Sequence, residues 1–179
     1  MPKFLKYALV VLLVVVLSVG AAVALLPDRF EVHREITIDA GPAAIHPYLE
    51  DLSRWPEWSA WNAERFPSLV SEFSGPERGV DAVWSWTMDE GPGRLVLTAS
   101  DPVKGVWYDL TFGEGAERMS SKGAIQYLPA EGGTKLLWTT SGELHGLGKL
   151  MGPLVDSAMG PDFEAGLAKL KQLVEGTDA

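Results

Sequence analysis

The sequence predicts an α+β domain. One curved antiparallel sheet of about seven strands is closed by a long C-terminal helix, and a single transmembrane helix precedes it. Three observations predict this. Ala8–Leu26 is an uncharged apolar run. Between Ser68 and Leu144 apolar residues recur at every second position, between short turn signals. After Gly146 the period becomes helical: Phe163, Leu167, Leu170 and Val174 fall at i, i+4, i+7 and i+11.

The 179 residues divide into an anchor, 1–27, and one domain, 28–179. At ~1.5 Å per residue the apolar run nearly matches a hydrocarbon core of roughly 30 Å. Lys3 and Lys6 precede it, so the charge bias puts Met1 in the cytoplasm and the domain outside, on the periplasmic face of the inner membrane. Ala22-Val23-Ala24 has the form of a signal-peptide cleavage site, and the competing reading is a removed leader. The run is longer than the ~7–15 residues of a signal core, which favours a retained span through residues 8–26. The net charge of −9, with no basic cluster, excludes a general attraction to nucleic acid. Without cysteine there is no disulfide framework, thiolate nucleophile or Cys-based metal site.

Phe30, Val32, Ile36 and Ile38 alternate with Glu31, His33, Glu35 and Thr37, which predicts a strand with one buried face. Arg34 breaks the apolar phase. It either snorkels at a strand end or partners a buried carboxylate or a ligand's acid group. Asp39–Pro42 is a turn into a short helix, roughly Ala43–Leu52. Ser53 is then a candidate N-cap. Trp55, Trp58 and Trp61 are three apart and share one side of a helical segment. They close one end of a core, gate a cavity or touch a membrane interface.

Strands follow near Leu69–Phe73, Val80–Met88, Arg94–Ser100, Val106–Phe112, Ser121–Leu128 and Thr134–Leu144. The short connections favour an antiparallel meander. Its apolar phase offers Trp84, Trp86, Leu95, Leu97, Tyr108, Leu110, Phe112, Tyr127, Trp138 and Thr140 as the lining of a ligand cavity; a filled core would use the same residues. Gly148, Gly152, Gly160 and Gly166 would leave gaps along the last helix, which favours the cavity. Pro161 is expected to kink that helix or split it, with Asp162 and Glu164 on its polar faces.

His33, His46 and His145 are far apart, which predicts no metal site. No phosphate loop, dinucleotide fingerprint or nucleophile elbow occurs, and no cofactor is expected. His46, before Pro47 near a helix start, reads as a surface residue. Glu143 and His145, beside the turn after the last strand, are the best acid–base candidates, although both fall on the polar phase.

Several stretches carry a resemblance: Glu35–Ala40 followed by Pro42, the Asp51–Trp61 segment, Gly132-Gly133-Thr134-Lys135 before Trp138, and Gly148–Gly152 leading to Asp162-Phe163-Glu164 and Gly166-Leu167. With the element order, they make Phe30–Val174 resemble the START-like (SRPBCC) superfamily of helix-grip folds. The similarity is to its polyketide cyclase/dehydrase family, in a bacterial subgroup with an N-terminal transmembrane helix. The resemblance implies a sheet wrapped on the long helix, enclosing a cavity for a lipid or other hydrophobic small molecule. It also leaves two other activities open, a cyclase- or dehydrase-like enzyme on an apolar substrate and an envelope protein-interaction domain.

Overall fold

The computed structural model describes residues 3–115 and 118–176. Met1, to which the charge bias assigns a side of the membrane, lies outside these residues. Helix α1 covers Lys3–Leu25, and none of its described side chains belongs to the core, whose first member is Phe30. It is long and apolar enough to cross a membrane, as an anchor or a signal sequence would be.

Strand β1 (Arg29–Ile38) leads to α2 (Pro42–Leu49), a 3₁₀ turn at Leu52–Arg54 and the one-turn helix α3 (Trp55–Trp58). Then come β2 (Val70–Ser74), β3 (Val83–Thr87), β4 (Gly93–Asp101), β5 (Gly105–Phe112), β6 (Met119–Ala130) and β7 (Gly133–Glu143). A second 3₁₀ segment, Gly146–Met151, runs into α4 (Gly152–Glu175). The sheet order is β1-β7-β6-β5-β4-β3-β2, with every pairing antiparallel. A register shift between Leu97 and Ala99 marks a bulge in β4, the kind of irregularity that bends a strand. One face of the sheet lies against α4, whose Phe163, Leu167 and Leu170 are buried.

The structure decides four local expectations. Asp51, not Ser53, is the N-cap: its carboxylate accepts from Ser53 N at 3.0 Å and Ser53 Oγ at 2.6 Å. The segment begins as a 3₁₀ turn at Leu52, so the cap falls earlier. Trp55 and Trp58 are each only 2 % exposed and close one end of the core, as one of the readings expected, and they cannot reach a membrane surface; Trp61 lines the cavity. Their indole N–H groups donate to Leu49 O and Tyr48 O, at 3.0 and 3.2 Å, satisfying carbonyls at the end of α2. Pro161 does not split α4, which is one helix from Gly152 to Glu175. Both Pro161 and Ser157, whose carbonyl loses a partner to the proline, face solvent, where an unpaired carbonyl costs least.

Of the helix glycines, finally, Gly152, Gly160 and Gly166 are not gaps, whereas a Cβ on Gly148 would meet nothing within 4 Å. A Cβ on Gly160 would collide with the Arg34 guanidinium, and one on Gly166 would sit 3.3 Å from Trp138. Arg34 resolves its own ambiguity. From the inner phase of β1 it reaches α4, where Nε donates to Glu164 Oε1 at 2.6 Å and NH1 to Asp156 Oδ1 at 2.8 Å. Asp156 first, then Glu164, raises the Arg34 pKa, and Arg34 in turn holds the Asp156 carboxyl below its usual range. Arg34 thus clips the helix to the sheet edge, its guanidinium committed to Asp156 and Glu164.

Candidate functional site

Between the sheet and α4 lies a cavity of about 290 Å³, neither sealed nor flat. Its floor is Trp84 and Trp86 of β3, Leu95 of β4, Tyr108, Leu110 and Phe112 of β5, and Trp138 of β7. Met159, Asp162 and Phe163 of α4 form the opposite wall, and Trp55, Trp61 and Phe66 close one side. Phe30, Met88, Glu90, Met119 and Ser121 complete the lining.

The hollow has a structural cause in the glycines of the sheet. Tyr108 pairs across strands with Gly123, Trp86 with Gly93, and Phe30 with Gly142. A Cβ on any of these glycines would strike the paired ring. With no Cβ beneath it, each ring lies down on the sheet, and space remains above it. The rings are then locked from other sides. Trp138 stacks on Phe163 at 4.0 Å and 8°, and its Nε1 donates to Tyr108 Oη at 2.8 Å. Burial pushes the Tyr108 pKa up to about 12, so this hydroxyl stays protonated at any ordinary pH.

Of the ten residues assigned to the lining from sequence, Leu97, Tyr127 and Thr140 lie elsewhere. Leu97 is fully buried at the bulge of β4, in the solid part of the core. Thr140 Oγ1 donates to Lys122 O at 3.3 Å. Tyr127 belongs to a buried polar group with His46, which corrects the surface placement of that histidine. His46 is 6 % exposed, with Nδ1 2.9 Å from Tyr127 Oη and Nε2 3.2 Å from Ser100 Oγ. It sits one position from Ile45 and three from Leu49 on the buried side of α2, a helical spacing that its proline neighbour obscured. Glu143 and His145 stand outside the cavity, with side chains 62 and 81 % exposed and 3.7 Å apart.

His46 adds a pH dependence. Desolvation lowers its pKa from 6.5, against the opposing pull of Glu50 and Asp101. Below pH 6.5 the unfolded chain binds the proton more readily than the folded one, so stability is lost as pH falls through that value. In urea melts the wild type is expected to lose more stability than His46→Gln between about pH 7.5 and about pH 5. Equal losses would show that His46 is not the titrating group.

Asp162 was expected on a polar face and is 8 % exposed in the cavity wall. Helix α4 runs unbroken from Gly152, so Met159, Asp162, Phe163 and Gly166 form an i, i+3, i+4, i+7 face; the break expected at Pro161 hid it. Asp162 Oδ1 lies 2.7 Å from Arg65 NH2, off the hydrogen-bonding direction. Desolvation raises its pKa, and Arg65 works against the shift. No group of three or more His, Cys, Asp or Glu able to hold a metal occurs among the described residues.

The rim lies at one end of the sheet. Phe112 pairs with Met119 and with Gly93, Ser121 with Gly142, and Arg29 with Glu143. The same end receives the chain from α1 and passes it to the 3₁₀ segment, where Lys149 Nζ donates to Leu26 O at 3.4 Å.

Comparison with known proteins bears on this architecture. Residues 29–175 match the family model described as polyketide cyclase/dehydrase and lipid transport. A comparison with curated proteins gives no match. A protein of unknown function from Staphylococcus aureus superposes with a TM-score of 0.62 at 14 % identity, covering 83 % of this chain and 95 % of its own. A protein from Mesorhizobium loti gives 0.61 at 18 %, covering 83 and 99 %. One from Chromobacterium violaceum gives 0.59 at 14 %, covering 84 and 99 %. At such identities the likeness establishes the fold alone. Nearly the whole of each of those proteins superposes on this one domain. The family match and the shared fold together show that the chain belongs to the polyketide cyclase/dehydrase and lipid transport family, within the START-like helix-grip superfamily.

Proposed function

We propose that the protein is a membrane-anchored binding module that holds a lipid or similar hydrophobic small molecule between sheet and helix. The observation that carries this reading is the cavity of about 290 Å³ walled by aromatic and aliphatic side chains. Its acid–base content argues against catalysis as the first reading. Asp162 is paired with Arg65, Glu90 is exposed, and the Tyr108 hydroxyl is engaged by Trp138.

Anchoring has its own support. Only Leu26–Asp28 separate α1 from β1, so a membrane crossed by α1 would lie close to the rim of the cavity. Beside α1's end, Leu147, Leu150, Met151 and Leu154 are 45–70 % exposed, an apolar strip that suits the headgroup boundary of a bilayer. Tethering raises the local concentration of membrane-derived ligands. On this reading the charge bias of Lys3 and Lys6 favours an anchor in the inner membrane with the domain on the periplasmic side.

Residues 28–179 purified from cells are expected to carry apolar material that native mass spectrometry detects. Stripped of it, they should bind apolar probes saturably, with a tryptophan fluorescence change. Leu110→Trp puts a larger ring into the cavity. It should weaken binding by about tenfold or more while costing roughly 1–3 kcal/mol of stability. A folded sample that binds no apolar probe would reject the reading and favour the apolar strip as a protein-docking surface.

A further inference from the structure

We infer that the cavity selects apolar molecules with an uncharged, hydroxyl- or carbonyl-bearing head and discriminates against carboxylates, through the indole N–H groups of Trp84 and Trp86 and the carboxyls of Asp162 and Glu90. The inference rests on the binding function proposed above and names the ligand class.

The polar groups of the lining carry it. Trp84 and Trp86 are 2 and 5 % exposed, and neither Nε1 has a hydrogen-bond partner among the described residues. Their rings are 4.9 Å apart on one wall of the cavity. Two buried N–H donors are desolvated without compensation, and a ligand oxygen would restore what they lose. On the wall formed by α4, Asp162 Oδ1 is likewise buried without a hydrogen bond. It can accept from a ligand hydroxyl, and the remaining lining supplies few polar atoms, chiefly Ser121 and the Tyr108 hydroxyl.

Charge sets the discrimination. Among the described residues, the ionisable carboxyl side chains of the lining are Glu90 and Asp162, and no lysine or arginine lines the cavity. Arg65 is the nearest cation assigned to either, and its charge is taken up by Asp162 at 2.7 Å. Arg34, the other inward-phase cation, is committed to Asp156 and Glu164. A carboxylate entering the site would shed its hydration without gaining a countercharge, since Arg65 is already paired with Asp162, and would face Glu90 at the rim. A hydroxyl carries no such penalty.

The test uses residues 28–179 and three probes of equal chain length: dodecanol, methyl dodecanoate and dodecanoate, titrated by tryptophan fluorescence at about pH 8, where the acid is ionised. Dodecanol and the ester are expected to bind about tenfold or more tighter than dodecanoate. Asp162→Asn frees Arg65 and removes a negative charge, so it should raise dodecanoate affinity and bring the ratio toward one. Glu90→Gln, at an exposed rim position where folding is insensitive, should shift the ratio in the same direction. Saturable binding of dodecanoate as tight as that of dodecanol in the wild type overturns the selectivity and leaves the binding function standing. Saturable binding of none of the three overturns the binding function, and the selectivity with it.

Discussion

Trp138→Ala is expected to lower the stability of the domain by about 3–5 kcal/mol. Trp138 is 2 % exposed and lies where the elements meet. Its ring stacks on Phe163 of α4 and meets Trp58 edge-on at 5.4 Å and Trp55 at 6.3 Å. Removing it deletes the stacking partner of the helix, leaves a void larger than neighbouring rings can fill, and strands the Tyr108 hydroxyl without its donor. Domains of this size have roughly 5–15 kcal/mol in total, so the variant should be marginal. Urea melts of residues 28–179 check the value. A loss below about 1 kcal/mol would mean that the sheet and α4 do not meet through this residue.

Gly123→Ala is the smallest change expected to close the cavity. Tyr108 lies directly over Gly123, and a methyl there would strike its ring carbons. An alanine raises strand propensity slightly, by up to about 1 kcal/mol, which works in the variant's favour. The clash outweighs it, because a ring 3 % exposed and flanked by Trp55 at 5.5 Å cannot slide aside within the core. It must lift off the sheet into the space it lines. The expected cost is roughly 1–3 kcal/mol, with loss of saturable binding of apolar probes and a changed near-ultraviolet dichroism. Tyr108→Phe is the control: it keeps the ring on the glycine, loses the hydroxyl's bond to Trp138, and should still bind. Retained binding in Gly123→Ala would show that ring placement over glycine does not make the cavity.

The same pairs show why the cavity was hard to read in the sequence. Alternation in β3, β5 and β7 correctly assigned Trp84, Trp86, Tyr108 and Trp138 to the inner face, since a strand's period of two needs no partner to be legible. It could not tell which inward residues stand over space and which are packed solid. Leu97 and Leu95 share a phase, yet Leu95 lines the cavity and Leu97, at the bulge, does not. Leu97→Asp, a natural choice for disabling the site, would therefore place a carboxylate in solid core and unfold the domain.

By itself the sequence determined the apolar N-terminal helix, the antiparallel strands, the long C-terminal helix and the family, because each is written in local periodicity, turn residues or short motifs. The tertiary structure alone decided what long-range contact controls. It fixed that Arg34 clips α4 across Gly160, that His46 is buried against Tyr127 and Ser100, and that Asp162 turns into the cavity beside Arg65. Each of these is a polar side chain in a segment whose local pattern reads as exposed or ambiguous. The partners stand 130 positions away for Arg34 and 81 for His46. Burying such a group is favourable only when that distant partner arrives to replace water, so its fate depends on the folded chain and not on its neighbours in sequence.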